Sequence, residues 1–457
     1  VPVPRIRAVV VNYNGGSLVE RCVRSLLASE WPADRLEVVV VDNASSDGSP
    51  DRLATAFPSV RLIRSPHNLG FAAGNNAALS DLDGVDYIAL VNPDATVEPG
   101  WLTPLVEALA ADPRAGAANP KVLLDPRFTP LRLTCDPFVP GGADERRLGV
   151  AVHDVRGGAE PGWDATVFGE GFHDEEWAAG SSFRWAGPEA ELWLPAAPAD
   201  RPDAAAHVEF LAAAEREKPL RVVTTTTTLE VAVGPEPRWI ALAVDPPYVD
   251  LLNDAGSVLV DGAFPANRGL GTPDDGTFDT PDEVFAFTAT VAMLRAAFLR
   301  DIGLFDETLF MYYEDFDLSW RGRLRGWHYL YVPGSRARHV RGAIAGHRSA
   351  LADRLVHRNG LVTLAKNAPG PIARREARRY VRDTLRIARV EVAAPLGRGR
   401  RPRPTLTGRR LRALAGFVSR LPGALRARAI LGRRAVVDRD AVAAWEPPPS
   451  RAPSPSG

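Results

Sequence analysis

A chain of 457 residues, 45% hydrophobic and 24% charged, has an ordinary globular composition and can bury one large core or two to three smaller ones. Two cysteines, Cys22 and Cys135, allow at most one bridge, no zinc site is readable, and no apolar run reaches the roughly 18 to 20 residues that span a bilayer, so a reduced, cytoplasmic protein is expected. The net charge of -1 hides a polarity: residues 1–365 carry 33 basic and 50 acidic side chains and residues 366–457 carry 22 and 6, which argues against nucleic-acid binding by the body and for a tail that seeks an anionic surface.

The strand pattern begins within about five residues of the start. Residues 8–11, 37–41, 60–63 and 87–91 are short β-branched or apolar runs that fit buried parallel strands. Between the first two, Ser17-Leu18-Val19-Glu20 reads as a capping box, followed by Val19, Cys22, Val23, Leu26 and Leu27 at helical spacing. Pro50 marks the start of a second helix, and residues 71–79 form a third. Strands alternating with helices imply a doubly wound α/β sheet whose ligands gather beyond the carboxyl ends of the strands. Those ends carry Asn12-Tyr13-Asn14, Asp42-Asn43, Asn68 and Asn92-Pro93-Asp94, which suggests one shared crevice.

Residues 126–245 lose the helical period and gain Gly and Pro. They read as an inserted β-rich module, with β-structure across 222–233. Five of the ten tryptophans fall here, Trp163, Trp177, Trp185, Trp193 and Trp239; a small core filled with aromatics is favoured over a sugar-stacking surface. Strand-and-helix character resumes over 246–366, with an apolar run at 285–294, a helix near 295–301, an acidic run at 314–317 and a strand at 327–332. Over 367–440 two basic amphipathic helices are expected, the first with Ala373, Ala377, Tyr380, Val381, Thr384, Leu385, Ala388 and Val392 on one face, the second with Leu411, Leu414, Ala415, Val418 and Leu421. Residues 374–434 are the candidate contact with an anionic membrane surface, which would make the protein peripheral at the inner face of the cell membrane. Residues 441–457 are expected to be disordered.

Three sets of residues carry chemistry. Asp94, at the mouth of the fourth strand, can hold a divalent cation, Mg²⁺ or Mn²⁺, against a diphosphate; the plainer reading of Asn92-Pro93-Asp94 is a turn. Asp42 can accept hydrogen bonds from a nucleoside or cap the next helix, and the glycines of Asn68-Leu69-Gly70-Phe71-Ala72-Ala73-Gly74-Asn75 permit close approach of a ligand. Asp315, beside Glu314 in the first turn of a helix, is a candidate base whose ionised form the helix dipole favours and Glu314 opposes; the alternative is a solvated helix start. His339 could complete a metal shell.

Taken together, Val10-Val11-Asn12-Tyr13-Asn14, the stretch Val40-Val41-Asp42-Asn43-Ala44-Ser45-Ser46-Asp47-Gly48-Ser49, the Asn68 to Asn75 turn, Leu90-Val91-Asn92-Pro93-Asp94-Ala95, and Gly303-Leu304-Phe305-Asp306-Glu307 running into Tyr312 to Leu318 resemble the family 2 glycosyltransferases, especially the rhamnosyltransferase-like branch. The resemblance covers residues 1–125, the nucleotide-sugar half, and 246–366, the acceptor and catalytic half.

It implies a GT-A fold and inverting transfer from a nucleotide-sugar donor to a glycan or lipid-linked acceptor in cell-envelope polysaccharide synthesis. Carried over, Asn12, Asn14, Asp42, Asn68, Gly74, Asn92 and Asp94 would bind donor, Asp94 and His339 the metal, and Asp315 with Glu314 would be catalytic. Asn92 stands where many relatives have Asp, and Thr288-Ala289-Thr290 where they have a glycine-containing turn. No Gln-x-x-Arg-Trp motif follows the acidic run, which favours a non-processive enzyme. A sugar nucleotidyltransferase is disfavoured because Asn12-Tyr13-Asn14-Gly15-Gly16 holds no basic residue; a non-catalytic glycan-binding scaffold is the remaining alternative.

Overall fold

The structure, a computed structural model, describes residues 3–142, 144–156, 166–178, 181–197, 205–342, 349–397, 399, 401–402 and 404–446, with only the backbone described at 177, 178 and 181. Its main sheet grows from the four N-terminal apolar runs, β1 (Ile6–Asn12), β2 (Leu36–Asp42), β3 (Arg61–Arg64) and β4 (Tyr87–Val91). Every residue of β1 and β4 is buried, because helices cover both faces of a parallel sheet and leave no side for polar alternation. These helices are α1 (Gly16–Leu27), α2 (Ser49–Ala56), α3 (Gly70–Leu79) and α4 (Leu102–Ala111).

The remaining strands of the sheet are β5 (Ala95–Val97), β6 (Ala115–Leu124), β7 (Leu252–Asp254), β8 (Asp282–Val284), β9 (Val291–Arg295) and β10 (His328–His339). The order is β8-β10-β6-β9-β4-β1-β2-β3, with β7 beside β6 and β5 beside β10. β1, β2, β3 and β4 run parallel, as do β6 and β10, while β9 is antiparallel between β4 and β6. The fold is therefore α/β, a doubly wound sheet that fits the GT-A expectation but is mixed rather than mostly parallel, since β5, β7, β8 and β9 run against the other six strands. One face buries Val10, Val19, Leu26, Trp101 and Leu105; the other buries Val41, Leu90, Phe287, Phe298 and Tyr329. Each such side chain contributes about 1.5–3 kcal/mol of burial free energy.

Between β6 and β7 lies a sandwich of two five-stranded antiparallel sheets running from Arg127–Cys135 to Arg238–Val244. Its entrance and exit are joined: Phe128 and Val249 exchange backbone hydrogen bonds of 2.9 and 2.8 Å. The expectation of an aromatic-filled core is corrected, since the interior is mainly aliphatic, with Leu131, Val152, Leu192, Val222 and Leu242 around Phe210. Trp185 packs edge-on to Phe138, Trp193 borders the neck residues Leu124, Phe128 and Leu251, and Arg156 covers Trp239. Trp163 and the Trp177 side chain lie outside the described residues. Residues 222–233 are a hairpin, Lys218–Val223 and Thr228–Val233, turned by the threonines.

The second half adds α5 (Ala296–Ile302), α6 (Glu314–Leu324), α7 (Ala350–Asn367), α8 (Gly370–Ala388), α9 (Thr405–Arg434) and α10 (Arg439–Ala443). Of the apolar run at 285–294 only the end joins β9; Ala286 bridges Ser257 and residues 289–290 make a turn. Disorder from 441 is corrected over 441–446: Val442 is buried and Trp445 packs on Phe285, while 447–457 lie outside the described residues. Among the described residues no helix is long and apolar enough to cross a membrane. Both cysteines are free and buried.

Candidate active site

The register Asn12 to Asp42 aligns the carboxyl ends of β1 and β2, and the side chains there are tied together. Asn12 is fully buried; its amide nitrogen lies 3.0 Å from Asp42 Oδ1, 3.1 Å from Ser45 Oγ and 2.9 Å from Ser49 Oγ, and its Oδ1 accepts from Gly15 N–H. It organises the crevice wall from within rather than presenting an amide to a ligand. Asp42 Oδ2 accepts from Ser45 N–H, and Asn14, in left-handed backbone (φ 54°), accepts from Ser46 N–H at 2.8 Å. The capping box is not formed: α1 begins at Gly16, whose N–H is taken by Asp47 Oδ2 at 2.8 Å. A carboxylate from the neighbouring loop caps the helix instead.

Two glycines have packing roles. A Cβ at Gly70 (φ 81°) would overlap the Phe310 ring and carbonyl, so this turn admits Phe310. At Gly74 a Cβ would stand 2.8 Å from Val11 and 3.2 Å from Asn43 Nδ2, so the bare backbone there lets α3 seat closely on β1. Asn68 caps α3 by accepting from Gly70 N–H. Asn76, also on α3, reaches across the chain: its amide donates to the Phe305 carbonyl and to Glu307, and its oxygen accepts from Phe305 N–H. The two halves of the domain are sewn together at this point.

Asn92 and Asp94 lie on the other side of the crevice. Asn92 N–H donates to the Thr290 carbonyl at 2.9 Å, and one residue earlier Ala289 N–H donates to Asp315 Oδ2 at 3.0 Å. The Asp94 segment and Asp315 are thus fastened to adjacent residues of one turn, although about 220 positions separate them in sequence. Asp315 Oδ1 also accepts from Phe316 N–H at 2.7 Å.

His339 Nε2 is 3.1 Å from Asp94 Oδ1, and its Nδ1 is 3.2 Å from Asn253 Oδ1. Asn253 turns that oxygen to the ring because its amide donates to Asp254 Oδ2 at 2.7 Å. Asp254, fully buried, accepts in turn from Thr288 Oγ1 at 2.7 Å. Both ring nitrogens therefore face oxygen acceptors, so a proton or a metal ion must stand between His339 Nε2 and Asp94 Oδ1. One nitrogen and one carboxylate with phosphate oxygens suit Mg²⁺ or Mn²⁺. Among the described residues no group of three or more His, Cys, Asp and Glu could hold a metal by itself.

Glu314 and Asp315 open α6. Burial pushes both carboxyls up from the ordinary range, Glu314 the more strongly because the neighbouring charge of Asp315 adds to it. The backbone leading in is strained: Phe310, Tyr312 and Tyr313 have φ of 68°, 69° and 72°, costing on the order of 1–3 kcal/mol each. Asn359 on α7 holds this stretch through the carbonyls of Leu309, Met311 and Tyr312. Asp317, completely buried, accepts from Arg321, Lys366 and Asn367 at 2.8–2.9 Å and so locks α6 to α7. It is a structural member of the acidic run.

Several buried polar atoms of these segments have no hydrogen-bond partner, among them Asn43 Oδ1, Asn92 Oδ1, Tyr312 Oη and Glu314 Oε2. A polar ligand reaching these segments would satisfy them. Sequence reasoning did not single out Asn76, Asn253, Asp254 or Asn359. Asn253-Asp254 did carry a signal, a polar pair ending the apolar Leu251-Leu252, the same pattern as at the N-terminal strand ends.

Residues 8–156 match the family described as Glycosyl transferase family 2. The N-acetylglucosaminyl-diphospho-decaprenol L-rhamnosyltransferase of Mycobacterium tuberculosis is 34% identical over 125 residues, 25% of this chain and 40% of that protein. The beta-monoglucosyldiacylglycerol synthase of Synechocystis is 28% identical over 123 residues, 26% of this chain and 25% of that one. The match thus spans about two fifths or less of these relatives' length. Among solved structures, mannosyltransferase PcManGT from Pyrobaculum calidifontis, in complex with GDP-Man and Mn²⁺, overlays with TM-score 0.42 and 13% identity, covering 94% of this chain and 86% of that one.

Proposed function

We propose that this chain, whose residues 8–156 are those of a family 2 glycosyltransferase resembling the rhamnosyltransferases, moves one sugar from a nucleotide-sugar donor to a glycan or lipid-linked acceptor of the cell envelope. The observation that carries the reading is the shared turn, with Asn92 fastened to Thr290 and Asp315 to Ala289. A leaving diphosphate beside Asp94 and an acceptor hydroxyl beside Asp315 would then meet at one anomeric carbon.

The roles divide by chemistry. Asp42, Asn14 and Asn43 line the ends of β1 and β2, where a nucleoside is held in doubly wound sheets. Asp94 and His339 would hold a divalent cation, which when bound offsets the charge of the diphosphate. Asp315 takes the acceptor proton as the new glycosidic bond forms, and the Ala289 N–H orients its carboxylate. Attack by the acceptor opposite the departing diphosphate inverts the anomeric centre. The absence of a Gln-x-x-Arg-Trp motif supports release after one or a few additions.

The test is transfer itself. Purified protein is incubated with UDP-, GDP- and dTDP-sugars, dTDP-rhamnose first by analogy with the mycobacterial relative, and with polyprenyl-diphosphate-linked N-acetylglucosamine, with Mn²⁺ or with chelator. Mass spectrometry should find one added sugar, lost in Asp315→Asn while donor binding persists. Donor binding without transfer to any acceptor, or full turnover by Asp315→Asn, would overturn the assignment.

A further inference from the structure

Helix α8 has two faces with different surroundings. Glu376, Tyr380 and Thr384 are buried; Tyr380 Oη donates to the Arg410 carbonyl, and Arg410 Nε donates to Thr384 Oγ1. The tail thus packs on protein through part of the face expected to be apolar. Val381 and Leu385, assigned to that same face from sequence, point outward instead and are 39% and 58% exposed. Val390 and Leu396, just past the helix end, are 72% and 58% exposed.

Positions 374, 378, 381, 385 and 389 follow one another at spacings of three or four and form a single ridge: Arg, Arg, Val, Leu, Arg. Arg374, Arg378 and Arg389 are exposed, and among the described residues they make no ion pair or side-chain hydrogen bond. Two adjoining open concavities follow the ridge. One, of roughly 1050 Å³, is lined by five arginines with Pro371, Asp261 and Glu376; the other, of roughly 570 Å³, has Ala377, Val381 and Leu385 in its floor, and both share Arg378 and Arg382.

Unpaired guanidinium groups interleaved with exposed aliphatic side chains are satisfied together by few partners. A polyphosphate or nucleic acid would pair with the arginines but leave Val381, Leu385, Val390 and Leu396 in water. An anionic lipid leaflet meets both needs, since the aliphatic groups enter the boundary between headgroups and acyl chains while arginines remain at headgroup level. The charge of the segment agrees, with 22 basic against 6 acidic residues over 366–457. We infer that the outward face of α8 is a docking surface for an anionic bilayer leaflet, the ridge Arg374, Arg378, Val381, Leu385 and Arg389 being the contact. It narrows the 374–434 region to one face of one helix, and it stands or falls independently of sugar transfer.

The experiment is co-sedimentation of the full chain with vesicles of mixed phosphatidylglycerol and phosphatidylcholine, and with phosphatidylcholine alone, without any sugar nucleotide. The full chain should pellet with the anionic vesicles and be released by high salt. Replacing three arginines, Arg374→Ser, Arg378→Ser and Arg389→Ser together, should weaken partition about a hundredfold. Val381→Ser with Leu385→Ser should also weaken it, and thermal unfolding should be unchanged because these side chains are exposed. The inference is overturned by equal partition of the arginine variant and parent, or by no binding to anionic vesicles. It is equally overturned if binding is lost only in Leu411→Ser, Val418→Ser and Leu425→Ser on α9, or if the arginine variant loses affinity for duplex DNA while retaining vesicles.

Discussion

Asn359 holds Tyr312 by a 2.8 Å hydrogen bond from its side-chain amide to that residue's carbonyl, one of three such bonds to the strained stretch before Asp315. Arg358 Nε in turn donates to Asn359 Oδ1 at 2.8 Å, which fixes the amide's orientation. Removing the amide leaves buried carbonyls without donors, at about 1–3 kcal/mol, and lets the left-handed residues relax. Asn359→Ala should therefore lower kcat by roughly 10–100-fold with little change in donor KM, since the loss falls on the placement of the base. A proportional rise in KM with kcat intact would assign Asn359 to binding instead.

The raised carboxyls of Glu314 and Asp315 set a direction for pH dependence. A base must be ionised, so kcat/KM should rise with pH through a value above the usual carboxylate range near 4. Glu314, raised further because it ionises against the charge of Asp315, is still protonated where Asp315 ionises, so Glu314→Gln should leave that limb in place; a shifted limb would mean that Glu314 ionises first. Stability runs the other way: the folded state holds protons that the unfolded chain gives up near pH 4, so stability should fall as pH climbs from there through the raised values. Denaturant titrations of Glu314→Gln should show a weaker decline than the parent; an identical decline would falsify the assignment of this strain to Glu314.

Lys366 contacts both Asp306 and Asp317, at 2.7 and 2.9 Å. Lys366→Met should leave Asp317 short of one partner in a fully buried position and destabilise the fold by about 3 kcal/mol. Chemical denaturation measures this directly. A loss within experimental error would mean that Arg321 and Asn367 suffice.

Asn253 fixes the ring of His339 without reaching the crevice itself. Outer partners of metal-binding histidines commonly contribute 10–100-fold in metal affinity. Asn253→Ala should weaken Mn²⁺ binding by about that factor, read by titration calorimetry with donor diphosphate present, while Asp94→Asn should weaken it further. Unchanged Mn²⁺ affinity in both variants would remove Asp94 and His339 from the metal site.

The N-terminal strands were legible because each is a short β-branched or apolar run, most of them closed by a polar residue, and both signals are local. The acidic run at the start of α6 was legible because three acids in one helical turn are conspicuous, although the part each plays was not: Asp317 is a buried clamp, which only the positions of Lys366 and Asn367 reveal. Asn76, Asn253 and Asn359 escaped notice because each acts on a segment far along the chain, Asn76 on Phe305 and Glu307, for example. The glycine turn was misread for a similar reason. Gly70 suggested a close-approaching ligand, and what approaches is Phe310 from the second half of the domain.

The paired bonds between Phe128 and Val249 mean that the polypeptide returns to the spot it departed from. The ten-stranded sheet is consequently indifferent to the length of what hangs beyond that neck. Nothing in its registry would have to be rethreaded were the sandwich exchanged for a short hairpin, and since Asp125 N–H is bonded to the His339 carbonyl at 2.9 Å, the graft is rooted beside a candidate metal-binding residue. A module carried on such a neck stays beside His339 without altering the pairing of the strands that hold it.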